Sequence, residues 1–410
     1  MTHRRRLDPL RRALLTATAA APLALGSTRL FALDAPGTST TRGAAPRFLF
    51  VFLRGGYDAA NLLVPISSST YYEMRRGIAI ARDAALPIDA DWGLHPALRD
   101  SVHPLFTAGQ AAFIPFAGTH DLSRSHFDTQ DNIELGRAAD AAAGASKNVG
   151  RSGFLNRLVA QLGGARAMAF SDQVPIAMQG PLALPNMALR GPVRGGLDVR
   201  QRDRIAAMYA GTPLAQPVEE GFRVREAVAA DLAAEMAAAD RNAASTRGFE
   251  AEARRIARLM KERYRIGFVD VGGWDTHAAQ GGVRGALANH FEELGRGLAA
   301  YASELGPDWR DTVVVVGSEF GRTLRENGSG GTDHGHGSVW WVLGGSVKGG
   351  RVAGEQLRVA PGQLQDNRDY RVVNEYREVL GGLFARLWGL DAGRLDAVFP
   401  GARPRELGLV

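Results

Sequence analysis

The stretch TVVVVGSEFGRTLRENGSGGTDHGHGSVWWVLGG (residues 312–345) sets the framework for interpreting the chain. Its first part, 312–317, is a run of β-branched residues closed by glycine, which is typical of a strand buried on both faces. Its last part, 338–345, predicts a second buried strand. The connection between them carries four polar residues that can hold a metal or move a proton: Glu319, Asp333, His334 and His336. In open α/β sheets, ligands bind at the carboxyl ends of the strands, so this connection is a candidate functional site.

Strand and helix patterns alternate along the rest of the chain. Further strands are predicted at 48–53, 111–118 and 175–180, and helices at 152–164, 287–305 and 374–390. Such alternation predicts an α/β fold in which helices flank a mostly parallel central sheet.

The N-terminus has the organisation of an export signal. Arginines precede a moderately apolar segment, Ala13 to Leu25, and small residues surround a plausible cleavage point after Ala32. We therefore predict a signal peptide over 1–32, a linker over 33–46 and one domain over 47–410. The pair Arg11-Arg12 favours delivery to the periplasm or exterior by the twin-arginine (Tat) export machinery, with an ordinary Sec signal as the alternative.

Charge and composition exclude several classes of function. The leader contributes five of the six net positive charges, so the remainder gives little reason to expect nucleic-acid binding. No later segment offers about 20 uninterrupted apolar residues, so no stable membrane span is expected. The chain contains no cysteine, which excludes disulfides, a thiolate nucleophile and cysteine-bound metal.

Four polar clusters each follow an apolar strand or lie between two such strands: Arg54–Asp58, Ser123–Asp128, Asp270–His277 and Ser318–His336. The carboxyl ends of parallel strands share one edge of a sheet, so clusters distant in sequence can converge there. Carboxylate oxygens with imidazole nitrogens suit zinc or another divalent transition metal.

Five motifs in order, LRGGYDAANLLVP, SRSHFDTQD, GGWDTH, SEFGRT and GTDHGHGSVWWVLGGSVKGG, resemble the bacterial DUF1501 proteins. That family is exported, often by Tat, and is similar to the alkaline phosphatase–sulfatase superfamily. The resemblance covers about 47–401 and implies an alkaline phosphatase-like fold with a divalent metal at the strand edge.

Site residues follow from the resemblance position by position. It implies a metal-binding set of Asp58, Asp275, His277, Glu319, His334 and His336. Glu319 stands where the superfamily has an Asp-His pair, so a second metal site would require His334 to substitute for the missing histidine. No cysteine is present to form the sulfatase formylglycine. Because SRSHF follows a core strand, Ser125 is the candidate catalytic nucleophile, with His126 or Asp128 orienting it, and attack by metal-bound water is the alternative. Arg54 or Arg124 would hold the substrate anion, and pairing with a carboxylate is the alternative for Arg54.

Structural roles remain open for the same residues. Asp275 and His277 could brace a turn, His334 and His336 could be solvated, and Asp58 could be a turn acid. Ser125 could cap a helix, and Arg322 could simply neutralise Glu319.

The function implied is hydrolysis of a phosphate or sulfate ester carried by a small molecule or a polymer. The alternative is a non-catalytic envelope or binding protein that keeps the hydrolase fold. The sequence does not indicate the substrate, the metal or the oligomeric state.

Overall fold

The structure is a computed structural model that describes residues 45–139, 152–189, 199–223 and 248–410. Its strands are β1 (Arg47–Leu53), β2 (Leu63–Val64), β3 (Leu86–Pro87), β4 (Gly93–Leu94), β5 (Ala111–Gly118), β6 (Ala167–Ala169), β7 (Ile266–Val271), β8 (Thr312–Ser318), β9 (Ser338–Gly344), β10 (Arg351–Val352) and β11 (Asn374–Glu375). Its α-helices are α1 (Ala59–Leu62), α2 (Ser69–Met74), α3 (Val102–Thr107), α4 (His126–Leu135), α5 (Phe154–Gln161), α6 (Val199–Tyr209), α7 (Phe249–Glu262), α8 (Ala286–Leu305), α9 (Tyr376–Trp388) and α10 (Ala392–Val398).

The central sheet is mostly parallel, as the sequence predicts. Its strands run in the order β10-β5-β9-β8-β1-β7-β6, and β11 also pairs with β5. Strands β8, β1, β7 and β6 are mutually parallel, whereas β9 is antiparallel to both its neighbours. The carboxyl ends of β1, β5, β7 and β8 therefore meet the beginning of β9 at one edge.

Strand β1 shows why helices cover both faces of the sheet. Its sequence FLFVFL places phenylalanines on one face and Leu49, Val51 and Leu53 on the other, because side chains alternate along a strand. The phenylalanine face packs with α5 and α9, and the leucine–valine face packs with α7 and α8. The predicted helices at 152–164, 287–305 and 374–390 are confirmed with small shifts of their ends.

One predicted strand is wrong. Residues 175–180 contain a 3-10 turn, Ile176–Met178, with Pro175 at its start. Short apolar runs do not distinguish strand from helix by their pattern alone.

Two further expectations from the sequence concern the N-terminal export segment and a membrane span. The predicted signal peptide and most of the linker lie outside the described residues and stay predictions. Within the ranges that the structure describes, none of the helices combines the length and apolarity that a membrane crossing needs.

A small antiparallel sheet, β2-β4-β3, leads directly into a buried histidine. His95 follows β4 and is fully buried, with Nε2 3.1 Å from the Gly282 carbonyl oxygen. Its Nδ1 accepts a hydrogen bond from the Ala97 amide at 3.1 Å. Burial lowers the pKa of His95, and the Gly282 carbonyl and the Asp58 charge oppose this shift only in part.

We predict that His95 makes the protein less stable in mild acid. The unfolded chain binds a proton at an ordinary histidine pKa of about 6.5, but the folded chain resists it. This contribution to stability is present above that pH and is lost as the pH falls below it. Urea unfolding at several pH values should show a smaller loss between pH 7.5 and 5 in His95→Asn than in wild type. An equal loss in both proteins would contradict the prediction.

Candidate active site

After β8, the segments around Arg322 and His334 pair with each other as the two arms of a hairpin. Arg322 and His334 form an antiparallel bridge, and the Gly335 amide donates to the Gly321 carbonyl at 2.9 Å. A Cβ on Gly335 would lie 2.5 Å from the Arg322 carbonyl carbon, so only glycine allows the arms to come this close. His334 is therefore held by backbone pairing within an ordered connection.

Helix α4 carries His126 at its first position. Ser125 is the N-cap, and its Oγ accepts from the Asp128 amide at 3.3 Å. Asp121 ties the preceding loop to the helix by accepting from Thr129 Oγ1 at 3.1 Å and Asn132 Nδ2 at 3.0 Å. These bonds fix the start of the helix and hence the direction of His126.

The loop after β7 delivers Asp275 and His277. Trp274 is buried, with its ring centroid 5.8 Å from that of Tyr57 and 5.6 Å from that of Phe291, which anchors the loop. A Cβ on Gly331 would lie 2.5 Å from the His277 carbonyl carbon, so the hairpin also packs directly against this loop.

All three site histidines have their Nδ1 atoms facing an oxygen acceptor. His126 Nδ1 is 2.8 Å from Glu319 Oε1, and His334 Nδ1 is 3.1 Å from the Arg124 carbonyl oxygen. His277 Nδ1 is 3.4 Å from Asp333 Oδ1. Carbonyl and carboxylate oxygens only accept hydrogen bonds, so each Nδ1 carries a proton, and in the neutral tautomer of each ring Nε2 then presents a lone pair.

Those lone pairs converge. His334 Nε2 lies 2.9 Å from His126 Nε2 and 3.0 Å from His277 Nε2. The Asp275 carboxylate lies 3.4 Å from His334 Nε2 through Oδ1 and 3.6 Å from His126 Nε2 through Oδ2. Lone pairs and a carboxylate at such distances repel one another unless a cation or a proton lies between them.

The donors fit a metal ion. His126, Asp275 and His334 can offer ligand atoms that all lie within 4.8 Å of one another. In a tetrahedral site with zinc–ligand bonds of about 2.0–2.2 Å, neighbouring ligand atoms are about 3.4 Å apart, close to the observed separations. His277 lies beside this set, with Nε2 3.0 Å from Asp275 Oδ1.

Glu319 lies behind His126, on the Nδ1 side of the ring. It is fully buried, and its Oε1 accepts from the Gly55 amide and Gln130 Nε2 at 2.8 Å each, as well as from His126. Ser318 Oγ donates to Oε2 at 2.8 Å. Burial alone would raise the pKa of Glu319, but the hydrogen bonds from His126 and Gln130 outweigh it and lower the pKa. Glu319 is thus placed to orient His126 from behind.

Arg322 is a site residue whose partner the sequence did not reveal. Its buried guanidinium donates to the Gly55 and Gly56 carbonyls and to Asp275 Oδ1. Burial would raise the pKa of Asp275, but the hydrogen bond and charge of Arg322 outweigh it and lower the pKa. The expectation that Arg322 neutralises Glu319 is therefore replaced by its contact with Asp275.

Besides Glu319, two further predicted metal ligands, Asp58 and His336, have other partners. Asp58 is fully buried and forms a bidentate salt bridge with Arg75, with Nη1–Oδ2 and Nη2–Oδ1 distances of 2.5 and 2.9 Å. Its carboxylate also accepts a hydrogen bond from Gln280 Nε2 at 2.6 Å. His336 interacts with His120, Asp121 and Arg124, and burial, followed by the charges of His120 and Arg124, lowers its pKa to about 4.

The predicted anion-binding arginines are also paired with carboxylates. Arg54 Nε lies 2.8 Å from Asp270 Oδ2, and its Nη1 lies 2.9 Å from Glu134 Oε1. Arg124 Nε donates to Asp369 Oδ2 at 3.2 Å. Arg124 also has a positive φ of 53°, uncommon for a non-glycine residue, and its carbonyl binds His334.

Residues 45–399 match the family described as "Protein of unknown function (DUF1501)". The chain belongs to the DUF1501 family. The match spans every site residue described above and confirms the resemblance that the motifs indicate. A search of the curated proteins finds no match to this DUF1501 chain.

Solved structures similar to this DUF1501 chain include sulfatases and an alkaline phosphatase superfamily member. A 2-O GAG sulfatase has 10% identity and a TM-score of 0.41, covering 89% of this chain and 76% of its own. A putative sulfatase from Bacteroides thetaiotaomicron has 10% identity and a TM-score of 0.39, with the same coverages. An alkaline phosphatase superfamily protein from Vibrio parahaemolyticus has 10% identity and a TM-score of 0.31, covering 74% and 61%.

We predict that Asp58→Asn destabilises this DUF1501 protein and leaves the arrangement of His126, Asp275 and His334, and any zinc binding there, unchanged. The substitution leaves the buried Arg75 without its charge partner, which costs about 3–5 kcal/mol of unfolding free energy. Urea unfolding measures that loss, and zinc titration of the folded variant measures binding. The paired variant Asp58→Asn with Arg75→Met should recover part of the stability. Normal stability with lost zinc binding would instead make Asp58 a ligand.

Proposed function

We propose that this protein is a metal-dependent hydrolase of phosphate or sulfate esters. The observation that carries the proposal is the convergence of His126 Nε2, His334 Nε2 and the Asp275 carboxylate within 2.9–3.6 Å of one another. Three protein donors with an open side are typical of catalytic metal centres, whereas structural zinc centres are closed by four.

The metal-binding residues in this proposal are His126, Asp275 and His334, and His277 lies beside them with its Nε2 3.0 Å from His334 Nε2. Nitrogen and carboxylate ligands suit zinc or another divalent transition metal. When bound, such an ion supplies Lewis acidity that polarises the ester oxygen. Glu319, the Arg124 carbonyl and Asp333 hold the three histidine rings with Nε2 toward the common point.

Ser125 remains the proposed nucleophile. It directly precedes His126 at the start of the ten-residue helix α4, where the helix amides favour negative charge. In the proposed step a bond forms between Ser125 Oγ and phosphorus or sulfur while the bond from that atom to the ester oxygen breaks, and the Ser125 hydroxyl proton passes to the departing alcohol. Water then cleaves the serine ester and releases phosphate or sulfate. Direct attack by water is the alternative, with Ser125 acting only as a cap.

One observation favours the non-catalytic alternative. The buried Arg322 guanidinium contacts Asp275 Oδ1 and lies 3.4 Å from His277 Nε2 through Nη1. These contacts stabilise the loop after β7 without any metal. A protein that keeps this arrangement for structure alone would bind no ion and cleave no ester.

We expect the purified protein to bind zinc and to be stabilised by it. At a free concentration 100 times the dissociation constant, binding adds about 2.7 kcal/mol to the unfolding free energy. Asp275→Asn and His334→Ala should each weaken binding at least about tenfold, since a ligand matters no less than its outer-shell partners. His336→Asn, in the same connection but directed at Asp121, is the matched control and should bind normally. Absence of both bound metal and stabilisation in wild type would refute the proposal.

For the nucleophile, Ser125→Ala should abolish most turnover of the ester that wild type cleaves best in a panel of aryl phosphates and aryl sulfates. A lost activated nucleophile costs orders of magnitude in rate, whereas a lost cap costs only about 1 kcal/mol of stability. Zinc content should remain unchanged. Near-normal turnover would support attack by water, and loss of zinc together with turnover would make Ser125 a support of the metal centre.

A further inference from the structure

Helix α4 carries a polar stripe that begins with the proposed ligand His126. Gln130 and Glu134 follow at intervals of four residues, so the three side chains share one face of the helix. All three contact groups at the sheet edge: His126 and Gln130 contact Glu319, and Glu134 contacts Arg54.

Gln130 shares its acceptor atom with His126. Gln130 Nε2 and His126 Nδ1 each lie 2.8 Å from Glu319 Oε1. The position of that oxygen sets where the His126 ring points. Gln130 therefore helps to fix the position of Glu319 Oε1, the oxygen atom that orients the His126 ring.

Arg54 determines which way round the Gln130 amide lies. Arg54 Nη1 is 2.8 Å from Gln130 Oε1, and a guanidinium only donates hydrogen bonds. The amide oxygen must therefore face Arg54, which leaves the amide NH₂ group facing Glu319. The reversed amide would set NH₂ against guanidinium and oxygen against carboxylate.

Arg54 is itself held by two carboxylates. Glu134 Oε1 lies 2.9 Å from its Nη1 and Asp270 Oδ2 lies 2.8 Å from its Nε. A chain of directed contacts thus runs from the end of β7 through Arg54, Gln130 and Glu319 to His126. These contacts explain why Arg54 is present without requiring it to bind a substrate anion.

We propose that Gln130 is a positioning residue for His126, acting through Glu319, and that Arg54 fixes the direction of the Gln130 amide. The proposal rests on the metal-binding role of His126 given above. A carboxylate on Nδ1 fixes the ring's tautomer and orientation and raises ligand basicity, and loss of such outer-shell partners costs about 10–100-fold in metal affinity.

The main test compares zinc affinities, measured by competition with a chromophoric chelator, among variants with normal thermal unfolding. Gln130→Leu removes the donor and should weaken binding about tenfold. Gln130→Glu keeps the Arg54 contact but turns the donor into an acceptor, and should weaken binding at least as much. Gln179→Leu is the matched control. Gln179 lines a cavity of about 440 Å³ that Gln130 and Arg54 also line, but its side chain donates a hydrogen bond to the Val174 carbonyl and not to Glu319. This variant should bind zinc within about twofold of wild type, well short of the outer-shell effect.

A double-mutant comparison tests the order of the chain. Arg54→Met should weaken zinc binding, and adding it to Gln130→Leu should weaken binding no further, since both act along one path. Additive losses would overturn the role of Arg54. Unchanged affinity in Gln130→Leu and Gln130→Glu would overturn the role of Gln130.

A metal-free readout separates this proposal from the proposed function. In ring-nitrogen NMR spectra of the metal-free protein, Gln130→Leu should shift the Nδ1–H signal of His126, whereas Gln179→Leu should not. If wild type binds no zinc, the metal-dependent function fails, and this signal still decides whether Gln130 positions His126. An unshifted signal would overturn the proposal whatever the zinc result.

Discussion

The rest of the site depends on one buried carboxylate, Glu319 at the end of β8. A buried charge is costly unless hydrogen bonds satisfy it. Its donors come from the turn after β1, from Ser318 beside it, and from two positions on α4. Satisfying this one group therefore fixes a helix and two strand ends relative to each other. With these elements fixed, His126 lies opposite the hairpin that carries His334.

The sequence predicted the sheet well because its strands are buried on both faces. Such strands must be apolar along their whole length, which makes 111–118 and 312–317 recognisable with almost no error at their ends. The convergence of the polar clusters follows from the parallel arrangement of the strands. The antiparallel direction of β9 was not readable, because a buried strand has the same composition in either direction. That direction brings the start of β9 to the edge where the other clusters lie.

Individual side chains were less predictable than the edge on which they lie. Asp58 follows a core strand just as Glu319 does, yet Arg75, 17 residues later, pairs with it. His334 and His336 are two residues apart, but His334 faces His126 whereas His336 faces Asp121. The position of a residue relative to a predicted strand indicates which edge of the sheet it lies on. The direction of its side chain, however, depends on partners that are distant in sequence. The role of Gln130 and the partner of Arg322 were not predictable for the same reason, since nothing local marks a glutamine or arginine as the partner of a distant carboxylate.

Electrostatics at the sheet edge bears on which function the site can support. The pKa values of Asp275, Glu319 and Asp333 are all lowered: opposing hydrogen bonds and charges outweigh the burial of Asp275 and Glu319, and the Asn327 hydrogen bond is the largest cause for Asp333. All three are therefore ionised near neutral pH. Burial lowers the pKa of His334, the charge of Arg322 acts in the same direction, and the neutral form of the ring is therefore favoured. Among the described residues at the cluster, Arg322 acts on Asp275 and Arg368 acts on Asp333, whereas Glu319 is satisfied mainly by hydrogen bonds. A phosphate or sulfate ester would be repelled by these carboxylates, and a divalent cation at His126, Asp275 and His334 would remove that repulsion. Metal binding and ester binding are thus expected to be linked, with the ion needed before the ester can approach.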